Sequence, residues 1–184
     1  MPNKKNSKTL ADPSKLAPFD ANDKSLIQVI IETPRGSRNK FAFDPEQRIF
    51  ELKTVLPAGM TFPYDFGFVP STKADDGDSI DVLVWMDEPA TPGCLVKARL
   101  VGVIEGEQTE RKKGKIIRND RLLAIERANH EYAEIKDVSD FDKDLIKDLE
   151  QFFVNYHKLE GSRYQILGCK GRDRALKLLK KAMR

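Results

Sequence analysis

Apolar and polar positions alternate along the first two thirds of the chain, and recur at helical spacing only in the last third. Ser25 to Glu32 (SLIQVIIE), Asn39 to Phe43 and Ile49 to Val55 each read as strands, the first ended by Thr33-Pro34-Arg35-Gly36. Strands spaced this closely predict an antiparallel meander. Leu56 to Pro70 (LPAGMTFPYDFGFVP) is rich in aromatics, Pro and Gly. It reads as a packed irregular segment in which Phe62, Phe66 and Phe68 belong to the core. Strict alternation returns at Ile80 to Trp85, where Ile80, Val82 and Val84 point to one face and Asp81, Leu83 and Trp85 to the other. Gly93 to Val103 and Leu122 to Glu126 are further strands, and in the charged stretch from Glu105 to Arg118 between them the basic half, Arg111 to Arg118, reads as a hairpin tip facing water.

Near residue 140 the period changes. Phe141, Leu145, Ile146, Leu149, Phe152, Phe153, Tyr156 and Leu159 keep a 3.6-residue spacing, with Ser139 as the expected cap and Gly161 as the stop. A short strand over Tyr164 to Leu167 follows, and the amphipathic pattern recurs from Arg172 to Met183. Strands first and helices last is an α+β order, and it predicts a small β-barrel with two helices laid against it. Residues 1–24 carry Pro2, Pro13 and Pro18 and no period that buries a face. They are expected to be a polar N-terminal extension, ordered only where it packs on the single domain formed by residues 25–184.

Composition narrows the class. A chain of 184 residues has room for one domain with a real core. With 40% hydrophobic and 33% charged residues it reads as a soluble globular protein, and a net charge of +3 is too small to imply nucleic acid or membrane as a partner. Cys94 and Cys169 lack metal-ligand spacing and suggest reduced thiols in a cytoplasmic protein. No apolar run follows Lys4, Lys5 and Lys8, which argues against a secretory signal, and no window approaches the roughly 20 apolar residues of a membrane span.

The chemistry is concentrated in Asp75-Asp76-Gly77-Asp78-Ser79-Ile80-Asp81, where four carboxylates fall within seven residues and run into an apolar strand. One reading is a solvated turn, because Asp and Gly form turns readily. The other is a site for a hard divalent cation, which carboxylate oxygens suit and which relieves their mutual repulsion. An EF-hand loop is excluded: counted from Asp76, its sixth position is Asp81 and not Gly, its twelfth is Asp87 and not Glu, and no helix leads into it. Asn119-Asp120-Arg121 also precedes a strand start, so two polar clusters are placed to converge on one site.

The run Asp76-Gly77-Asp78-Ser79-Ile80-Asp81-Val82-Leu83-Val84 resembles the signature of soluble family I inorganic pyrophosphatases. Supporting pieces in the same order are Ile31-Glu32-Thr33-Pro34, Asn39-Lys40-Phe41, Phe62-Pro63, Phe66-Gly67-Phe68, Gly93, Val101-Gly102-Val103, and Phe152-Phe153 with Tyr156. The resemblance implies an OB-like five-stranded antiparallel barrel and hydrolysis of pyrophosphate to two phosphates. It also implies dependence on Mg²⁺, with Mn²⁺ as a substitute, and a homo-oligomer, a hexamer if the source is bacterial. By the same resemblance Asp76 and Asp81 match metal ligands, Asp78 the general base that holds the attacking water, Lys40 and Tyr156 phosphate contacts, and Glu32 a further active-site acid.

The departures from the family pattern are specific. Ala42 stands where the family has an acid. An expected arginine falls at Thr54, beside Lys53, which offers charge but not a bidentate fork. Two family tyrosines are Phe62 and Phe66. The usual Asp-x-Lys appears as Asn119-Asp120-Arg121, so that either Asn119 or Asp120 is the expected ligand and Arg121 the expected cation. A further acid has no certain match among Glu105, Glu107 and Glu110, and the lysine after the helical tyrosine is His157. Two alternatives therefore stand beside an ordinary pyrophosphatase. One is a weakened or atypical enzyme; the other is an OB-type nucleic-acid-binding module using Arg111, Lys112, Lys113 and Lys115.

Overall fold

The computed structural model describes residues 11–109 and 114–183. Five strands close on themselves: β1 (Leu26–Thr33), β4 (Asp65–Phe68), β5 (Asp81–Trp85), β8 (Arg121–Glu126) and β6 (Leu95–Thr109), with β6 returning to pair with β1. Four of the five junctions are antiparallel, but β5 and β8 run parallel with Asp81 opposite Arg121. The barrel is therefore mixed and not wholly antiparallel. β6 extends beyond the ring to pair with β7 (Ile116–Arg118) and β9 (Tyr164–Gly171). The acidic half of the charged stretch, Glu105 to Thr109, thus belongs to a long paired strand, while Glu110 and the residues Arg111, Lys112 and Lys113 of the expected tip lie outside the described residues.

The alternation read from the sequence sorts the core into two clusters. Ile80, Val82 and Val84 pack with Ile27, Val29, Ile31, Ala175 and Leu179, whereas Leu83 and Trp85 pack with Phe62, Phe66, Leu123, Phe153 and Tyr156. Ala175 and Leu179 come from α2 (Arg172–Ala182), and Phe153 and Tyr156 from α1 (Lys143–Leu159), so each helix seals one cluster.

Three local expectations change. β2 (Asn39–Asp44) and β3 (Ile49–Val55) form a separate two-stranded ribbon, and β1 does not join their ladder because its edges are taken by β4 and β6. The segment read as irregular contains β4, whose Gly67 is needed for strand pairing: a Cβ there would lie 2.0 Å from the Ile30 carbonyl oxygen. Asp142, not Ser139, caps α1 by accepting from the Asp144 amide. Val138–Asp140 form a separate 3₁₀ turn capped by Asp137, and buried Phe141 follows in extended geometry with its ring 4.8 Å from Trp85. Seating that ring interrupts the helical path.

Ahead of β1 the chain folds back along the body. Phe19 bridges to Ile27, the Gln28 side chain donates to the Ala17 carbonyl, and buried Asp20 meets Lys97 at 2.6 Å. Among the described residues no helix is long and apolar enough to cross a membrane.

Candidate active site

A cleft of about 550 Å³ opens between the β2–β3 ribbon, the acidic loop before β5, the start of β8 and the C-terminal half of α1. Glu32, Lys40, Lys53, Asp76, Asp78, Asp81, Asn119, Arg121 and Tyr156 all line it. Asp120 does not. Successive residues at a strand start point to opposite sides, and the Asp120 carboxylate turns away to accept from the Gly106 amide at 3.1 Å and from Arg118 at 2.7 Å. Glu105 is also on that side, bound by Arg118 and Arg174.

One side of the cleft is acidic. The Asp76 carboxylate accepts from the Asp78 amide at 3.2 Å, which folds the loop so that Asp76 is half-buried and Asp78 is exposed. Burial raises the pKa of Asp76. Although 26% of the Asp81 side-chain surface stays open, desolvation by the surrounding protein pushes its pKa up to about 6, against the pull of Arg121 and Lys40. Glu32 is buried beneath the ribbon and accepts from the Phe43 amide at 2.7 Å; desolvation pushes its pKa up to about 7 despite that bond.

Facing these acids is a set of cations and hydroxyls. Lys40 donates to the Tyr156 hydroxyl at 2.7 Å, and that hydroxyl donates to Glu160 at 2.7 Å. Burial and Glu160 raise the Tyr156 pKa, so the phenol stays protonated. Arg121 lies between the rings of Phe153 and Tyr164, 4.5 and 4.8 Å from their centres, and its Nη2 is 3.6 Å from Asp81. Lys53, on the rim, pairs with Glu51. Ser14 reaches the same rim from the N-terminal segment.

Sequence reasoning passed over two residues here. Glu160 stands four positions after Tyr156 on one helix face, a spacing that signals contact. Gln108 gave no such signal, because only the β6–β7 hairpin register brings it to Asn119.

The donor chemistry suits a hard ion such as Mg²⁺. The carboxylates present oxygen only, and desolvation of Glu32, Asp76 and Asp81 leaves their charge under-compensated. Among the described residues no three Asp, Glu, His or Cys side chains gather tightly enough to hold an ion by themselves. Mg²⁺ takes one or two carboxylates and fills its shell with water and substrate phosphate.

A profile of the inorganic pyrophosphatase family matches residues 29–184. The chain is 36% identical over 163 residues to an inorganic pyrophosphatase of Synechocystis sp., covering 86% of this chain and 90% of that one. It is 32% identical over 164 residues to an inorganic pyrophosphatase of Methanosarcina acetivorans, covering 89% and 94%. The crystal structure of the Thermus thermophilus inorganic pyrophosphatase superposes with a TM-score of 0.84 at 30% identity, covering 94% of this chain and 97% of that one. With the family profile spanning residues 29–184, relatives above 30% identical over most of the chain and the fold superposing on a solved member, the chain belongs to the family I inorganic pyrophosphatases.

Proposed function

We propose that this chain hydrolyses inorganic pyrophosphate to two phosphates at the cleft, with Asp78 as the general base. The observation that carries the reading is the convergence of Asp76, Asp78 and Asp81 with Lys40, Arg121 and Tyr156 on one cleft in a chain of this family. Pyrophosphate carries several negative charges, so an anionic nucleophile is repelled unless the phosphoryl oxygens are neutralised. Asp76 and Asp81 would hold Mg²⁺, which when bound lowers the pKa of water and screens the phosphoryl oxygens. Asp78, exposed at the mouth of the acidic side, takes the proton from the attacking water. Lys40 and the protonated Tyr156 bind one phosphate, and Arg121 and Lys53 supply positive charge as the leaving phosphate separates. Glu32 sets the ribbon against the barrel through the Phe43 amide. A cytoplasmic setting and a homo-oligomer belong to the same reading and are carried by the family alone.

A second reading is a slower enzyme or one with altered metal preference. Ala42 and Phe66 both line the cleft, one without a carboxylate and the other without a hydroxyl. A phosphate-release assay on pyrophosphate, titrated with Mg²⁺ and Mn²⁺ and run with ATP and tripolyphosphate as competitors, tests both readings. Mg²⁺-dependent release specific to pyrophosphate supports the first, and slow release or a preference for Mn²⁺ supports the second. Absence of metal-dependent release overturns both.

A further inference from the structure

The wall opposite the acidic loop is built differently from what its place in a metal-dependent cleft suggests. It consists of Gln108, Asn119, Arg121 and His157, and its hydrogen bonds have only one possible sense. Arginine has no acceptor, so the 3.0 Å contact between Arg121 Nη1 and Asn119 Oδ1 requires the amide oxygen to face the guanidinium. The Asn119 Nδ2 then donates to Gln108 Oε1 at 2.7 Å, which occupies both ends of the Asn119 amide. Likewise Arg121 Nη2 meets His157 Nε2 at 3.1 Å, so Nε2 is the accepting nitrogen and the Nδ1 hydrogen points to Ser162 Oγ at 3.1 Å. Arg121 Nη1 also donates to the Asn119 carbonyl at 3.0 Å, and the Tyr164 hydroxyl donates to that carbonyl at 2.7 Å.

These contacts fix one guanidinium in place, buried to 3% exposure, at the position where an oxygen ligand from this wall would have to act. A divalent ion on Asn119 Oδ1 would sit beside a positive charge already bonded to the same oxygen. The acids around this wall are engaged elsewhere: Asp81, 3.6 Å from Arg121 Nη2, belongs to the acidic side, Glu160 is engaged by the Tyr156 hydroxyl, and Asp120 and Glu105 face the other way. We propose that this wall is a metal-free half of the cleft: Arg121 is its cation, Asn119 and Gln108 are positioning residues that aim it, and the wall receives a phosphate group and no metal ion. The inference rests on the pyrophosphate reading above.

The test measures two bindings separately on the full chain. Mn²⁺ binding without pyrophosphate is counted from the loss of the free-ion EPR signal, and inorganic phosphate binding at saturating Mg²⁺ is followed by calorimetry. Asn119→Ala is expected to keep the number of bound Mn²⁺ ions and their affinity within about twofold while weakening inorganic phosphate about tenfold, the scale of one charge-assisted hydrogen bond. Gln108→Ala, which loosens the amide without touching Arg121, shows the same split at a few-fold and serves if Asn119→Ala folds poorly. Loss of a bound Mn²⁺ or of Mn²⁺ affinity in either amide variant makes the wall a metal site and overturns the proposal. Parallel loss of both bindings, the mark of a merely structural role, overturns it too, as does unchanged phosphate binding in both variants. Asp76→Asn serves as the reference: it is expected to weaken Mn²⁺. Unchanged Mn²⁺ binding in Asp76→Asn counts against the metal reading of the acidic side, a failure distinct from that of the opposite wall.

Discussion

The Lys40 ammonium lies 2.7 Å from the Tyr156 hydroxyl, and this contact joins the β2–β3 ribbon to helix α1 across the cleft. The ribbon shares no ladder with the barrel, so the pair helps to hold one wall against the other. Lys40→Met is expected to raise KM for pyrophosphate by about tenfold or more, since hydrogen bonds to charged groups contribute roughly 1.5–3 kcal/mol. Tyr156→Phe keeps the ring packing against Phe62 and Phe152 and is expected to show the smaller loss. Equal KM values in all three proteins would remove both residues from substrate binding.

Asp78→Asn removes the proposed base from an exposed loop position while keeping its size. Turnover is expected to fall by roughly 10²- to 10⁴-fold, the range for a lost general base, with an unchanged circular dichroism spectrum. Near-normal Mg²⁺-dependent phosphate release in this variant would sink the assignment.

Stability should depend on pH in a direction set by the desolvated acids. The Glu32 pKa is raised from 4.5 to about 7 and that of Asp81 from 3.8 to about 6. The folded state therefore binds more protons than the unfolded state between about pH 4 and 7, and stability is lost as the pH rises through that window. Calorimetric melting of the metal-free protein should show a Tm that declines over that range. Glu32→Gln can still accept from the Phe43 amide, and is expected to stabilise the metal-free protein at pH 8 by about 1–3 kcal/mol, since one pKa unit corresponds to 1.36 kcal/mol. An unchanged Tm at pH 8 would contradict the burial argument.

Gly106 is fixed by a neighbour that also holds the site. A Cβ at this position would lie 2.2 Å from the Tyr164 hydroxyl, the group that donates to the Asn119 carbonyl and whose ring covers Arg121. Gly106→Ala is expected to cost about 1–3 kcal/mol, as overpacking does, and to raise KM because the ring must shift. Denaturant melts and steady-state kinetics on one preparation check both, and a loss of stability with unchanged KM would separate Tyr164 from the site.

Asp120 provides the control. Its carboxylate is bound on the far side by Arg118 and the Gly106 amide. Asp120→Asn should leave the Mg²⁺ concentration for half-maximal activity unchanged, whereas Asp76→Asn should raise it. A rightward shift with Asp120→Asn would return Asp120 to the metal site.

The sequence alone determined whatever depends on neighbours along the chain. Alternation at Ile80 to Trp85 divided those side chains between the two core clusters observed. The 3.6-residue spacing located α1 and its buried Phe153 and Tyr156, and the density of Asp76, Asp78 and Asp81 marked the acidic side. It did not reveal β4, because Gly67 reads as a breaker until the approach of Ile30 supplies the reason for it.

Only the tertiary structure decided what faces the acids. Asp81 meets Arg121 through the parallel β5–β8 pairing across 40 residues, and Gln108 meets Asn119 through hairpin register. That Asn119 and not Asp120 lines the cleft turned on which face of a strand start looks into it. Side-chain period is local to a strand, whereas partner and register depend on which edges are free and which faces must be buried. Those conditions exist only once the barrel has closed.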